Sequence, residues 1–339
     1  MSMARYLVVR VCDSNGLSGF GEAATTPLWS GESAETARWM VEQLFAPELL
    51  GHSFDHPCEA LAVMDRISIG NPFAKSAVDT AIWDLWARLQ EMPVCELIGD
   101  RNPLPAVPTR ASIGTYPEAE TVRIAGEFWR AGIRTFKFKI GNPGFDDPAR
   151  LRAVREALGD EPIFTVDANG GYKGVGEAVA ALEALLTYRI ALVEQPTPRE
   201  RIHMLAQVRK EVEVPVMADE CVFSPGQLEE ALELDAFDIL FVYPGKNGGF
   251  THALEMARTV RKAGKLCSVG SNLETDLGQA AKTVLAASLS AFPVEQLSCD
   301  LSAGIFYARS SVMQPLELQD GRVKVPTGHG FGVDPVLWE

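Results

Sequence analysis

The six cysteines of this 339-residue chain are scattered, and none lies in a C-x-x-C pair. That spacing argues against a disulfide framework and a thiolate zinc site, and it fits a reducing, cytoplasmic setting. Cys12, Cys58, Cys95, Cys221, Cys267 and Cys299 therefore read as small buried apolar residues. Histidine is equally scarce. His52, His56, His203, His252 and His329 show no zincin spacing. No run of about 18 uncharged apolar residues occurs, so no membrane span is expected. Arg10, Asp13 and Ser14-Asn15-Gly16 interrupt the short apolar start, which argues against a secretory signal. Basic residues are outnumbered 31 to 45, for a net charge of −14. A field of that sign disfavours nucleic acid as a partner.

What is present supports a large folded chain. Apolar residues make up 47% and charged residues 22%, enough for a core and too apolar for wholesale disorder. Residues 6–12 read as a strand, Ser14-Asn15-Gly16 as a turn and Gly19-Phe20-Gly21-Glu22 as its return. A helix is expected near Ser33. Another is expected at Asn71-Pro72, with Asn at the N-cap and Pro at the first helical position. Its stripe is Val78, Ile82, Leu85 and Leu89. Gly99 to Pro103 is a breaker cluster and marks a boundary.

From about residue 106 the rhythm changes. Eight short apolar runs, 109–114, 134–140, 163–168, 191–196, 214–220, 238–243, 265–270 and 294–300, alternate with amphipathic stretches. Val179, Leu182 and Leu186 line one such stretch. Leu254, Ala257 and Val260 line another, which Gly264 stops. The alternation predicts a parallel (β/α)8 barrel, with a doubly wound sheet as runner-up. The expected division is an α+β cap over 1–103, a barrel over 104–311 and a tail over 312–339. The tail carries a small β element that returns to the N-terminal hairpin.

Asp167, Glu194 and Asp219 each close an apolar run, 27 and 25 residues apart. One β/α unit separates each pair, so in a barrel the three carboxylates converge at its C-terminal face. Converging carboxylates repel unless a cation sits among them, and hard oxygen ligands favour Mg²⁺, with Mn²⁺ as the alternative. The competing reading makes each acid a helix cap. One unit earlier, Lys137 and Lys139 alternate with Phe136, Phe138 and Ile140. Residues two apart share a strand face, so the lysines point inward. Two neighbouring ammoniums near a dication lower each other's pKa, which suits one of them to act as a base.

With these segments in view, the sequence resembles the enolase superfamily, in its muconate-lactonising and mandelate-racemase-like branch. The resemblance rests on Lys137-Phe138-Lys139, Val166-Asp167-Ala168-Asn169, Val193-Glu194-Gln195-Pro196, Ala218-Asp219-Glu220 and Lys246-Asn247-Gly248-Gly249. Gly19 to Ala23 and Ala77 to Leu85 resemble its capping domain. The resemblance implies a modified barrel under an α+β cap and a Mg²⁺ held by Asp167, Glu194 and Asp219. It implies a small carboxylate substrate on that metal, Lys139 abstracting the α-proton, and Lys137 helping to hold the enediolate. Asn169 and Glu220 would support the ligands. Members commonly form dimers and octamers.

Three departures qualify this. In lactonising enzymes and dipeptide epimerases a second lysine ends the sixth strand, three residues before the turn lysine. Counting back from Lys246 gives Tyr243 instead. A racemase needs a proton carrier on each face of the enolate, so a one-base lyase or cycloisomerase is expected. The alternatives are a racemase or epimerase using Tyr243 or Lys246 as second acid/base, and a non-catalytic carboxylate binder. Second, the family usually has a further strand and mobile loop before the segment matching Tyr6 to Val11, so the expectation is either a misassigned start or the lack of part of the specificity lid. Trp29 lies in what remains. Third, dipeptide epimerases carry D-x-D at the eighth strand to bind a substrate ammonium, and this chain has Asp300-Leu301-Ser302. Ser271, Asn272 and Glu274, after the seventh strand, are candidate substrate contacts.

Overall fold

The computed structural model describes residues 5–336. Expectations for residues 1–4 and 337–339, at the ends of the cap and the tail, fall outside it. Strands β1 (Leu7–Cys12) and β2 (Ser18–Ala23) form an antiparallel hairpin. It lies on the helix Pro72–Leu89 so closely that a Cβ at Gly19 or Gly21 would overlap the carbonyl oxygens of Ala81 or Ala77. That helix is buried on nearly every side, wider than the expected stripe. Leu89 is exposed, while Lys75, Asp79 and Asp84 are buried. Asn71 stands at its cap position with φ of 52° and makes no side-chain capping bond. Instead Glu32, from the loop before the helix Ala34–Met40, accepts the amides of Phe73 and Ala74 at 3.0 Å each. The helix near Ser33 runs Ala34–Met40 and opens with a capping box between Ser33 and Thr36.

After a short strand, β3 (Ala106–Pro108), seven parallel strands follow in sequential order. They are β4 (Arg110–Ile113), β5 (Thr135–Lys139), β6 (Ile163–Asp167), β7 (Ile190–Glu194), β8 (Val216–Ala218), β9 (Ile239–Val242) and β10 (Leu266–Val269). The eighth expected run does not form a strand. It contributes one bridge, Thr109 to Cys299. Asp300 donates its amide to Val269 of β10 at 2.8 Å, and Cys299 accepts that of Arg110 at 2.9 Å. These bonds join the two edges of the sheet and close the ring, so the barrel reading stands and the doubly wound sheet does not. A small cluster of Leu192, Met217, Ile239 and Phe241 packs apart from the main core.

Two other expectations need correction. The tail strands β11 (Leu318–Gln319) and β12 (Arg322–Lys324) pair with each other, and β12 pairs with β3, not with the hairpin. The following loop reaches the cap, where Phe331 donates its amide to Asp84 and Arg88 pairs with Asp334. The cysteines are all free, but Cys12 is exposed and Cys58 half-buried; Cys12 ends the outer hairpin strand, which has one open face.

Buried carboxylates join cap to barrel. Glu22 accepts the amides of Thr275 and Gly278 at the start of the helix Asp276–Ser288. Asp79 accepts the amide and hydroxyl of Thr251 at the start of the helix Phe250–Lys262. Helix N-termini carry unpaired N–H groups and partial positive charge, which suits an acidic partner. Burial nevertheless pushes both acids up, each to about 7. A raised acid binds its proton more tightly in the folded state, so stability falls as pH rises from the unfolded value toward about 7. Urea unfolding of wild type and Asp79→Asn tests this. Wild type loses stability relative to the variant between pH 4 and about 7; parallel curves would contradict it.

Candidate active site

The parallel register builds the site. Lys139 pairs with Asp167, and Asp167 with Glu194, so three charged side chains occupy one rung at the C-terminal ends of β5, β6 and β7. Asp219 follows β8 directly. Past β6 and β7 the chain turns through left-handed residues, Asn169 with φ of 44° and Gln195 with φ of 36°. These turns aim their side chains back across the barrel mouth. Asn169 donates to Glu220 at 2.7 Å and accepts from Lys139 at 2.6 Å. The Gln195 amide oxygen accepts the backbone amides of Asp219 and Cys221.

Each acid leans on a base. Lys139 Nζ lies 2.6 Å from Asp167. Lys137 Nζ lies 3.2 Å from Glu194, 3.2 Å from Asp300 and 3.5 Å from Asp167. Lys246 Nζ lies 2.9 Å from Asp219 and also donates to the Phe241 carbonyl. Among the described residues, no three Asp, Glu, His or Cys side chains are already grouped to hold an ion. The acids converge as the sequence predicts, but their oxygens are turned toward ammoniums. Even so, Glu194 Oε2 and Glu220 Oε2 are buried without any hydrogen-bond partner. Uncompensated hard oxygens of this kind suit a small dication.

Burial and neighbouring charge set the protonation pattern. Burial disfavours the charged form of Lys137, but Glu194, Asp300 and Asp167 outweigh it and hold its pKa above the usual lysine range. The two neighbouring lysines therefore do not produce a lowered pKa at Lys137. Burial and then the adjacent Asp167 push Glu194 up. Asp167 is held low despite burial, because Lys139 and Lys137 face it. Burial and the charges of Asp219 and Asp167 push Glu220 up to about 7.

Other predicted residues divide. A cavity of about 790 Å³ opens over the barrel end, and Trp29, Ser271, Asn272 and Asp300 line it beside Lys137, Lys139 and the three acids. Asp300 is tied to Lys137 and Ser112, so it is not free in the way a substrate-ammonium site requires. Trp29 donates its indole N–H to Glu220 at 3.2 Å. The cavity walls exclude Glu274, Tyr243 and Lys246. Glu274 is paired with Lys282 and holds the 271–272 loop. Lys246 is wholly buried and does not reach in from its turn. Tyr243 is buried two residues beyond Phe241, packed near Trp29. Burial and the charge of Asp219 hold its phenol protonated, well above the usual range.

Sequence reasoning missed Arg110 and Gln195. Arg110 is buried, stacks on Phe241 at 4.5 Å and lies 3.8 Å from Glu194. A charged residue opening a barrel strand was the available signal. Gln195 lies within the Val193-to-Pro196 segment, but only the fold reveals that it grips the Asp219 loop.

Residues 120–337 match the family described as enolase C-terminal domain-like. Residues 1–99 match the mandelate racemase / muconate lactonizing enzyme N-terminal domain. The chain belongs to the enolase superfamily, in its muconate-lactonizing and mandelate-racemase-like branch. Muconate cycloisomerase 1 of Rhodococcus opacus is 30% identical over 98% of this chain and 89% of its own length. N-succinylamino acid racemase of Thermus thermophilus is 32% identical over 94% and 84%. The crystal structure of 2-chloromuconate cycloisomerase from Rhodococcus opacus 1CP superposes with a TM-score of 0.92 at 30% identity, covering 98% of this chain and 92% of that one. Superfamily membership generally implies Mg²⁺. No helix among the described residues is long and apolar enough to cross a membrane.

The Lys246–Asp219 pair is a structural feature that can be tested alone. Lys246→Met leaves Asp219 buried beside an apolar side chain. Removing one partner of a buried pair costs about 3–5 kcal/mol, and the urea midpoint of the metal-free variant should fall accordingly. An unchanged midpoint would show that the pair is inert.

Proposed function

We propose that this protein is a metal-dependent lyase or cycloisomerase that removes the proton α to the carboxylate of a small substrate. The observation that carries this is the position of Lys139. Its side chain is 30% exposed at the cavity, whereas that of Lys137 is 5% and that of Lys246 0% exposed. It is thus the lysine of this cluster that a substrate can reach.

Asp167, Glu194 and Asp219 would hold the dication, Mg²⁺ or Mn²⁺. When bound, it supplies positive charge that stabilises the carboxylate side of an enediolate. Lys139 takes the α-proton. Lys137 stays an ammonium among its three carboxylates and gives fixed positive charge beside the developing anion, at no reorganisation cost. Asn169 orients Lys139 through the 2.6 Å bond and ties it to Glu220. Gln195 fixes the backbone that presents Asp219. Trp29, Ser271 and Asn272 form the substrate walls.

The strand opposite β5 is β9, four places round the ring. Tyr243, a buried phenol held protonated, follows its last residue, and among the described residues lining the cavity the accessible lysine stands on the β5 face. That supports a one-base reaction. Similarity to an N-succinylamino acid racemase favours a second reading, in which Tyr243 serves as the opposing acid.

Incubation in D₂O with Mg²⁺ and a panel of small carboxylates, N-succinylamino acids among them, separates the readings. Wild type should exchange or eliminate the α-proton of at least one substrate. Lys139→Ala should lose about 10²–10⁴-fold of that rate, the usual worth of a general base. Exchange that survives in Lys139→Ala contradicts the assignment. Racemisation that persists in Tyr243→Phe contradicts the one-base mechanism.

A further inference from the structure

The cavity is charged at its floor and largely apolar at its mouth. At the floor stand Lys139 and the acid cluster. At the mouth, Leu273 and Phe306 line the cavity with 48% and 47% of their surfaces exposed. Pro27 and Trp29 complete this apolar side. One ion pair interrupts it. Arg5 and Glu35, both lining the cavity, lie 3.1 Å apart.

That pair decides what the mouth accepts. Among the described residues, Arg5 is the one cation lining the cavity outside the floor. A second substrate carboxylate, at the end away from the reacting carbon, would need it. Glu35 already holds it. Glu35 sits in the first turn of the helix Ala34–Met40, where its own backbone N–H, the Ser33 hydroxyl and Arg5 keep its carboxylate below the usual range. The pair therefore presents no net charge to an incoming anion, and Glu35 itself repels one. The two side chains are well exposed, so their mutual attraction is weak. Its effect lies in cancelling the field at the mouth.

We infer that the Arg5–Glu35 pair is a specificity filter, which selects a monocarboxylate with an apolar or aromatic far end and rejects dicarboxylates of the same reach. The inference rests on the proposed reading that the barrel end anchors a substrate carboxylate. An apolar far end gains by covering Leu273 and Phe306, while a far carboxylate is desolvated against them and meets a cation already paired with Glu35.

Calorimetry in saturating Mg²⁺ tests the filter with two probes of similar reach, 3-phenylpropionate and adipate. Wild type should bind 3-phenylpropionate about tenfold more tightly, the effect of roughly one well-placed contact. Glu35→Gln frees Arg5, so the preference for 3-phenylpropionate over adipate should shrink by about fivefold, the scale of an exposed charge pair. The double variant Arg5→Gln/Glu35→Gln should restore the preference. Adipate binding as tightly as 3-phenylpropionate to wild type, or a preference unmoved in Glu35→Gln, overturns the filter and leaves the barrel-end site intact. Binding of neither probe overturns the carboxylate-site reading and the filter with it. Glu35 is an exposed surface residue, and circular dichroism with an unchanged melting curve confirms that the variants are folded.

Discussion

Everything at the barrel end follows from holding Asp167, Glu194, Asp219, Glu220 and Asp300 together in a buried space. Such a group is self-repelling and costly to desolvate. The fold answers with Lys137, Lys139, Lys246 and Arg110, buried to different degrees. Lys246 and Arg110 are buried deep and do not line the cavity. Lys137 sits between three carboxylates. Lys139 is the most exposed of the four at the cavity. One side still falls short, because Glu194 Oε2 and Glu220 Oε2 accept no hydrogen bond, although Arg110 stands 3.8 Å from the former. This residual deficit suits a dication, and the graded burial leaves one lysine more accessible than the others.

The cap is attached by the same physics at a second location. Glu22 and Asp79 leave the cap to meet the N-termini of two barrel helices, and Glu32 does so within the cap. These carboxylates fix the roof over the cavity. Trp29 then links roof to floor, through its bond to Glu220 and from there through Asn169 to Lys139. Arg199 holds the same segment by its bond to the Trp29 carbonyl. The cavity wall at Trp29 and the floor at Lys139 thus belong to one hydrogen-bonded frame.

The barrel and the rung of acids were legible because they rest on period. Carboxylates that close successive strands, one β/α unit apart, must meet at the same end of a barrel. Alternation alone turns Lys137 and Lys139 inward. What escaped the sequence depends on partners distant along the chain. Nothing near Asn71 says that Glu32 caps its helix. Nothing near Cys299 says that one bridge suffices where a strand was expected. The sequence placed Tyr243 at the strand end opposite Lys139, but not its burial outside the cavity wall. Likewise, Glu274 and Lys246 look free in sequence and are bound in the fold, to Lys282 and Asp219. Ion pairs between separate elements leave no local pattern to read.

The central claim is that these acids form a cation site once their lysines let go. Anomalous diffraction from crystals grown with Mn²⁺ tests it most directly. The account predicts one strong peak within coordination distance of Asp167, Glu194 and Asp219, with Lys139 moved off Asp167. Fully loaded crystals with no peak there, and with the lysine–carboxylate pairs unchanged, would contradict it.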